Sequence, residues 1–184
     1  MAEQIARAEI NPAQVTQPVL SAVYDYWKRK RGSRTMPSRS DILPSELREH
    51  LGWIVIVDVM PGFEEFRYRL VGTLVNQYFL ADATGKTIRE AFSGYPPHVA
   101  TAVTGVHRKS ARDKVVLRTH GAPDWMGGGF EAFDSLYLPL SDDGETCNVL
   151  LTAFVFDREQ VLLSRQIARA NGGRLPTRPP RTGT

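Results

Sequence analysis

Apolar and polar residues alternate with a period of two over residues 66–72, with Phe66, Tyr68 and Leu70 on one face and Arg67, Arg69 and Val71 on the other. That is the pattern of a half-buried strand. Gly72-Thr73 ends it, and Leu74, Val75, Tyr78 and Phe79 then recur at helical spacing. Thr84-Gly85 interrupts this helix, and Thr87, Ile88, Ala91 and Phe92 open another. A strand that feeds short helices and is followed by more strands predicts a sheet with a helical flap, residues 73–92, over one face. The space between flap and sheet is a natural place for a small ligand.

The same patterns divide the rest of the chain. Residues 1–16 are polar with little periodicity and are expected to be flexible. Residues 17–52 form an N-terminal helical extension. Its first helix carries the stripe Leu20, Val23, Tyr24 and Trp27, with Pro18 in the first turn and Gly32 as a C-cap. A short helix follows at 44–51. Strands are predicted at 53–59, 66–72, 114–119, 130–140 and 146–156. A helix from His98 to Arg112 lies between the second and third, with Val99, Ala102, Val103 and Val106 as its buried stripe. Asp142-Asp143-Gly144 is a hairpin signal. The fifth strand is apolar on both faces, which places it centrally. A C-terminal helix at 157–173 and a disordered Pro- and Arg-rich tail at 174–184 complete the chain. The fold class is α+β, an antiparallel sheet with flanking helices.

Two segments carry a resemblance. FRYRLVGT followed by TGK-T-I-x-E-x-F resembles a PAS domain, and the upstream YWKRKRGSRTMPSRSDILPSEL is similar to the N-terminal half of one proteobacterial subgroup. In that subgroup a single PAS domain makes up most of a small protein. The resemblance covers roughly residues 20–156 and implies a PAS-like domain at 53–156. It implies a five-stranded antiparallel sheet and a sensory or protein-interaction role, and with no effector domain read in the chain the expected output is contact with a separate signalling partner. The stripe Leu20, Val23, Tyr24 and Trp27 packs either on its own sheet or on a second copy of itself, and the resemblance implies the second, a homodimer contact. The ligand and the process are not implied, because a fold does not specify function.

Composition changes this picture little. At 184 residues with 42% hydrophobic and 23% charged residues, the chain supports one domain with extensions. No apolar run reaches the length of a membrane span, and the N-terminus has no signal-peptide core. A cytoplasmic location is the expectation. The net charge of +3 is matched by Arg174, Arg178 and Arg181 of the tail. The basic cluster at 28–34 therefore reads first as a solvated helix end. A DNA-binding regulator using that cluster is the minor alternative.

Chemistry is sparse. There is no G-x-S-x-G, H-E-x-x-H or Walker A pattern, and no carboxylate pair is converged by spacing, so a non-enzymatic protein is expected. The lone Cys147 excludes a multi-cysteine metal site and reads as a packing residue. Light-sensing PAS relatives carry a reactive cysteine in the flap, and residues 73–92 contain none, so a covalent flavin adduct is not expected and non-covalent flavin stays open. Haem-binding PAS relatives use a histidine on the helix before the third strand, and His98 and His107 both lie there. His107 lies beside the stripe residues Val103 and Val106 and could turn inward, but a histidine beside basic residues is ordinarily at the surface. Arg69 and Arg118 would pair a carboxylate ligand if they faced inward. The expected ligand-contacting residues are Tyr68, Leu70, Val75, Phe79, Ile88, Phe92, Val103, Leu117, Leu136 and Phe154. The cofactor is left unknown. A ligand-free scaffold that binds only protein is the open alternative, and the free volume beside the flap separates the two.

Overall fold

The computed structural model describes residues 15, 17–77, 82–121 and 133–156. The expectations for residues 1–14, Tyr78, Phe79, the glycine loop, the helix at 157–173 and the tail lie outside the described residues.

Helix α1 spans Pro18–Arg31. The Gln17 side chain caps it, accepting from the Val19 and Leu20 N–H groups at 2.7 and 3.2 Å. Pro18 sits where its missing N–H costs nothing. Gly32 ends the helix at φ 57°, donating its N–H to the Lys28 carbonyl. A 3-10 segment, Pro44–Trp53, runs into strand β1, Ile54–Val59. The remaining elements are β2 (Phe66–Val71), α2 (Thr73–Asn76), α3 (Ile88–Ala91), α4 (Pro97–Asp113), β3 (Leu117–Gly121), β4 (Phe133–Leu140) and β5 (Val149–Phe156). The strands form one antiparallel sheet in the order β2-β1-β5-β4-β3, with β5 at its centre.

Alternation along these strands, interrupted once in β2, builds two cores. One face carries Ile54, Ile56, Leu136, Leu138, Leu140 and Leu151, and packs against Leu20, Val23, Tyr26 and Trp27 of α1. The other carries Val55, Val57, Phe66, Tyr68 and Leu150 and packs beneath α2, α3 and α4. Both faces are therefore covered, and α1 is the second layer of the domain.

The stripe that the resemblance offers as a dimer contact packs on its own sheet here, the other of the two arrangements open to it. Leu20, Val23 and Trp27 are buried within the chain, at 0%, 0% and 2% exposure. The indole Nε1 of Trp27 donates to the Pro139 carbonyl at 3.0 Å. Tyr24 is half-buried and stacks on Trp27. Tyr26, which the stripe omitted, is buried instead. Its hydroxyl accepts from the Leu43 N–H at 2.9 Å and donates to the Asp41 carbonyl at 3.3 Å, which turns it inward. Val15, expected in a flexible stretch, is also buried in this core.

A β-bulge corrects the reading of β2. Ile56 pairs with Leu70 and Val57 pairs with Tyr68, so Arg69 is the extra residue. The alternation flips there. Leu70 passes to the α1 face at the sheet edge, where it is 43% exposed, and Val71 turns inward. Leu70 is thereby removed from the flap side.

Where β2 ends, Gly72 passes directly over the end of the 3-10 segment, and its N–H donates to the Ile54 carbonyl at 2.8 Å. A Cβ at Gly72 would fall inside contact distance of the Leu51 and Gly52 carbonyl oxygens. Both obstacles are backbone, so the strain cannot be relieved by a rotamer change. Gly72→Ala is expected to destabilise the fold by roughly 1–3 kcal/mol, measurable as a lower urea midpoint at unchanged m-value.

Candidate functional site

Helix α4 positions the one buried imidazole. Pro97 starts the helix, and Lys114 closes it in the left-handed region at φ 56°. Its buried stripe is Val99, Val106, His107, Ser110 and Ala111, with Val103 partly buried against the same core. The stripe therefore runs through His107, which is 1% exposed, whereas His98 is at the surface. The surface expectation holds for His98, and His107 takes the inward alternative that its place beside the stripe left open. The reason is helical phase: position 107 follows Val103 by one turn and precedes Ser110 and Ala111 on the same side.

The His107 ring lies between Phe66 of β2 and Tyr137 of β4, with ring centroids 5.5 and 5.0 Å away. Nδ1 is 2.8 Å from the Val103 carbonyl oxygen. Nε2 is fully buried and has no hydrogen-bond partner among the described residues. Burial pushes the imidazole pKa down from 6.5 to about 4, against the raising effect of the Val103 carbonyl. His107 is neutral at pH 7.

The sheet face under α4 is more polar than the rest of the core. Thr119 and Ser135 are cross-strand partners whose hydroxyls bond to each other. The Ser135 hydroxyl also donates to the Tyr137 hydroxyl at 3.4 Å. Thr152, opposite Tyr137, donates to the Val55 carbonyl at 3.0 Å. Tyr68 lies on the same face, and burial together with the neighbouring Tyr137 phenol holds its own phenol far above the usual range. Desolvation likewise raises Tyr137. This row of hydroxyls and the imidazole come from β2, β3, β4, β5 and α4, segments far apart in sequence.

Tyr68, Val75, Ile88 and Phe92 belong to the flap-side core, with Val103 and Phe154 packed against it. Leu117 joins through Val106 and Tyr137. Leu136 does not: it is fully buried on the opposite face, against α1. Leu70 is turned out by the bulge, and Phe79 lies outside the described residues. Sequence reasoning missed Ser135, Tyr137 and Thr119. The available signal was the alternation of FDSLYLPL, in which Ser135 and Tyr137 share the face opposite Leu136 and Leu138.

A lateral cleft of about 570 Å³ opens between the start of β2, α3 and α4. Phe66, Ile88 and Phe92 line it as well as the interior core, while Arg89, Thr101 and Thr104 are among its polar residues. At the rim, Arg108 donates to the Phe63 carbonyl at 2.9 Å and to the Glu64 carboxylate at 2.6 Å. Phe66 thus stands between the cleft and His107.

The other candidate groups find partners within the chain. Arg69 pairs with Asp58 at 2.7 Å, and Arg118 pairs with Asp134. Cys147 is buried, its thiol pKa raised by burial to about 11, and donates to the Val149 carbonyl. In the basic cluster, Lys28, Lys30 and Arg34 pair with Asp25, Glu46 and Asp41, each at 2.7 Å. Arg29 and Arg31 lie over the rings of Tyr26 and Trp27. Among the described residues no group of three or more His, Cys, Asp or Glu is arranged to hold a metal ion, and no helix is long and apolar enough to cross a membrane.

Comparison with known proteins follows this geometry. A family model described as a PAS domain matches residues 15–155. A solved structure described as an RNA-binding light-oxygen-voltage receptor aligns at 14% identity and a TM-score of 0.41, covering 74% of this chain and 41% of that one. The chain thus spans about two fifths of that receptor's length. An IcIR transcriptional regulator from Alicyclobacillus acidocaldarius aligns at 10% identity and a TM-score of 0.30, over 88% of this chain and 70% of that one. No curated protein matches.

Proposed function

Because the chain belongs to the PAS domain family, whose model covers residues 15–155, we propose that it is a cytoplasmic, non-enzymatic sensory module that binds a small molecule between α4 and the sheet and signals to a separate protein. The observation that carries the ligand is Nε2 of His107, a fully buried polar atom with no partner among the described residues. Leaving such an atom unpaired costs about 1–3 kcal/mol, and buried polar groups are satisfied in nearly all folded proteins. The lateral cleft supports access. Its volume of about 570 Å³ is in the usual range of ligand sites, and Phe66, one of its lining residues, is in ring contact with His107. A ligand that favours one packing of α4 over another shifts that population, and the exposed side of α4 presents the change to a partner.

Freshly purified protein is expected to carry a stoichiometric non-covalent adduct in native mass spectrometry. A visible absorption band in the same sample would identify a coloured cofactor with Nε2 as the available ligand atom. A bare mass under conditions that preserve weak complexes would favour the ligand-free scaffold that binds only protein. The DNA-binding alternative is disfavoured by the ion pairs that Lys28, Lys30 and Arg34 of the 28–34 cluster make with Asp25, Glu46 and Asp41, which leave Arg29 and Arg31 over the rings of Tyr26 and Trp27.

A further inference from the structure

Resting on the reading that a small molecule enters beside α4, we propose that this molecule is uncharged and presents a hydrogen-bond donor, a hydroxyl or an N–H, to Nε2 of His107.

The chemistry follows from the tautomer. A carbonyl oxygen can only accept, so the 2.8 Å contact between Nδ1 and the Val103 carbonyl places the proton on Nδ1. A neutral imidazole has one N–H, and the other nitrogen is then a bare lone pair. Nε2 is that nitrogen, and it is buried without a donor among the described residues. A ligand hydroxyl or N–H completes it. A carboxylate would oppose its own lone pairs to that of Nε2.

Charge selects in the same direction. The buried polar side chains of the described core are Thr, Ser, Tyr and His, and none is Lys, Arg, Asp or Glu. The nearest ion pair of the cleft, Arg108 with Glu64, is at the rim and half-satisfied by backbone. An ion taken inside would lose its hydration with no counter-charge, which costs far more than one hydrogen bond returns. The two rings that bracket the imidazole, Phe66 and Tyr137, favour a flat apolar body beside the donor. A single-ring alcohol combines these features.

Phenol, toluene and benzoate separate the terms, because they share a ring and differ in donor and charge. With full-length protein at pH 7, phenol is expected to bind and to shift the ¹⁵N resonance of the unprotonated His107 Nε2 in the direction of accepted hydrogen bonds. Toluene is expected to bind at least about tenfold more weakly, one hydrogen bond of about 1.4 kcal/mol, and benzoate more weakly still. His107→Leu should erase the preference for phenol over toluene. The resonance shift is read on the unaltered protein, so it stands even if that variant fails to fold. Toluene binding as tightly as phenol with no Nε2 shift would overturn the donor requirement while leaving an interior site. Benzoate binding tightest would overturn the neutrality. No binding by any of the three, together with a bare mass in native spectrometry, would remove the interior site itself.

Discussion

Trp27→Ala is expected to destabilise the protein by about 3–5 kcal/mol, the range for truncating a buried aromatic. Trp27 is 2% exposed in the core between α1 and the sheet. Its removal also strips the Pro139 carbonyl of the Nε1–H donor at 3.0 Å. For a chain of this length the loss corresponds to a fall in Tm of roughly 10 °C. Trp27→Phe should recover part of the packing but not the hydrogen bond. Chemical denaturation with native mass spectrometry on the same variants separates the two places this helix could dock. Packing on its own sheet gives a large stability loss at any protein concentration. Packing across a dimer would give a stability loss that grows on dilution, with the monomer already stable, and would contradict the cis arrangement.

The second large effect is acid sensitivity at His107. Its folded pKa of about 4 lies below the ordinary 6.5 because the imidazolium would be desolvated. The unfolded chain therefore binds the proton more tightly. The stability that depends on a neutral His107 is complete above pH 6.5 and is lost as pH falls from 6.5 to 4. The full loss is about 3 kcal/mol, with about 2 kcal/mol already gone at pH 5. The titratable ring in contact with the imidazole is Tyr137, whose phenol burial keeps neutral, and the lowering is set by desolvation against the Val103 carbonyl. The carboxylates of Asp41, Glu46, Asp82, Glu90, Asp142 and Asp143 are all held below their ordinary range by hydrogen bonds and neighbouring cations, which moves their own loss of stability towards more acid pH. Urea unfolding at pH 7 and pH 5 should show the loss in the native protein. His107→Leu should flatten it. A native protein equally stable at both values would mean that the imidazole is hydrated.

Much of the secondary structure was legible because its signals are local. The cap at Gly32, the Thr84-Gly85 turn and the Asp142-Asp143-Gly144 hairpin each rest on residues within one turn of each other. Asp143 shows why. Its carboxylate accepts from the Ser141 hydroxyl and the Glu145 and Thr146 N–H groups, so the turn is built by its own residues. The bulge at Arg69 was not legible. Nothing within 66–72 distinguishes a regular strand from one with an extra residue, because the register is set by β1 across the pair.

The site divides along the same line. The sequence determined that position 136 alternates with 135 and 137, that α4 has an apolar stripe, and that the order of elements is that of an antiparallel α+β sheet. It could not determine which sheet face receives α1 and which receives α4. Both faces are apolar enough to bury, and the choice is made by the summed packing of residues far apart in sequence. That choice sent Leu136 to the α1 core and brought Tyr68, Tyr137 and Ser135 under α4. It also fixed the environment of His107. An imidazole's charge and tautomer depend on the groups around it, and here those are Phe66 and Tyr137 from two other elements and the carbonyl of Val103 one turn back.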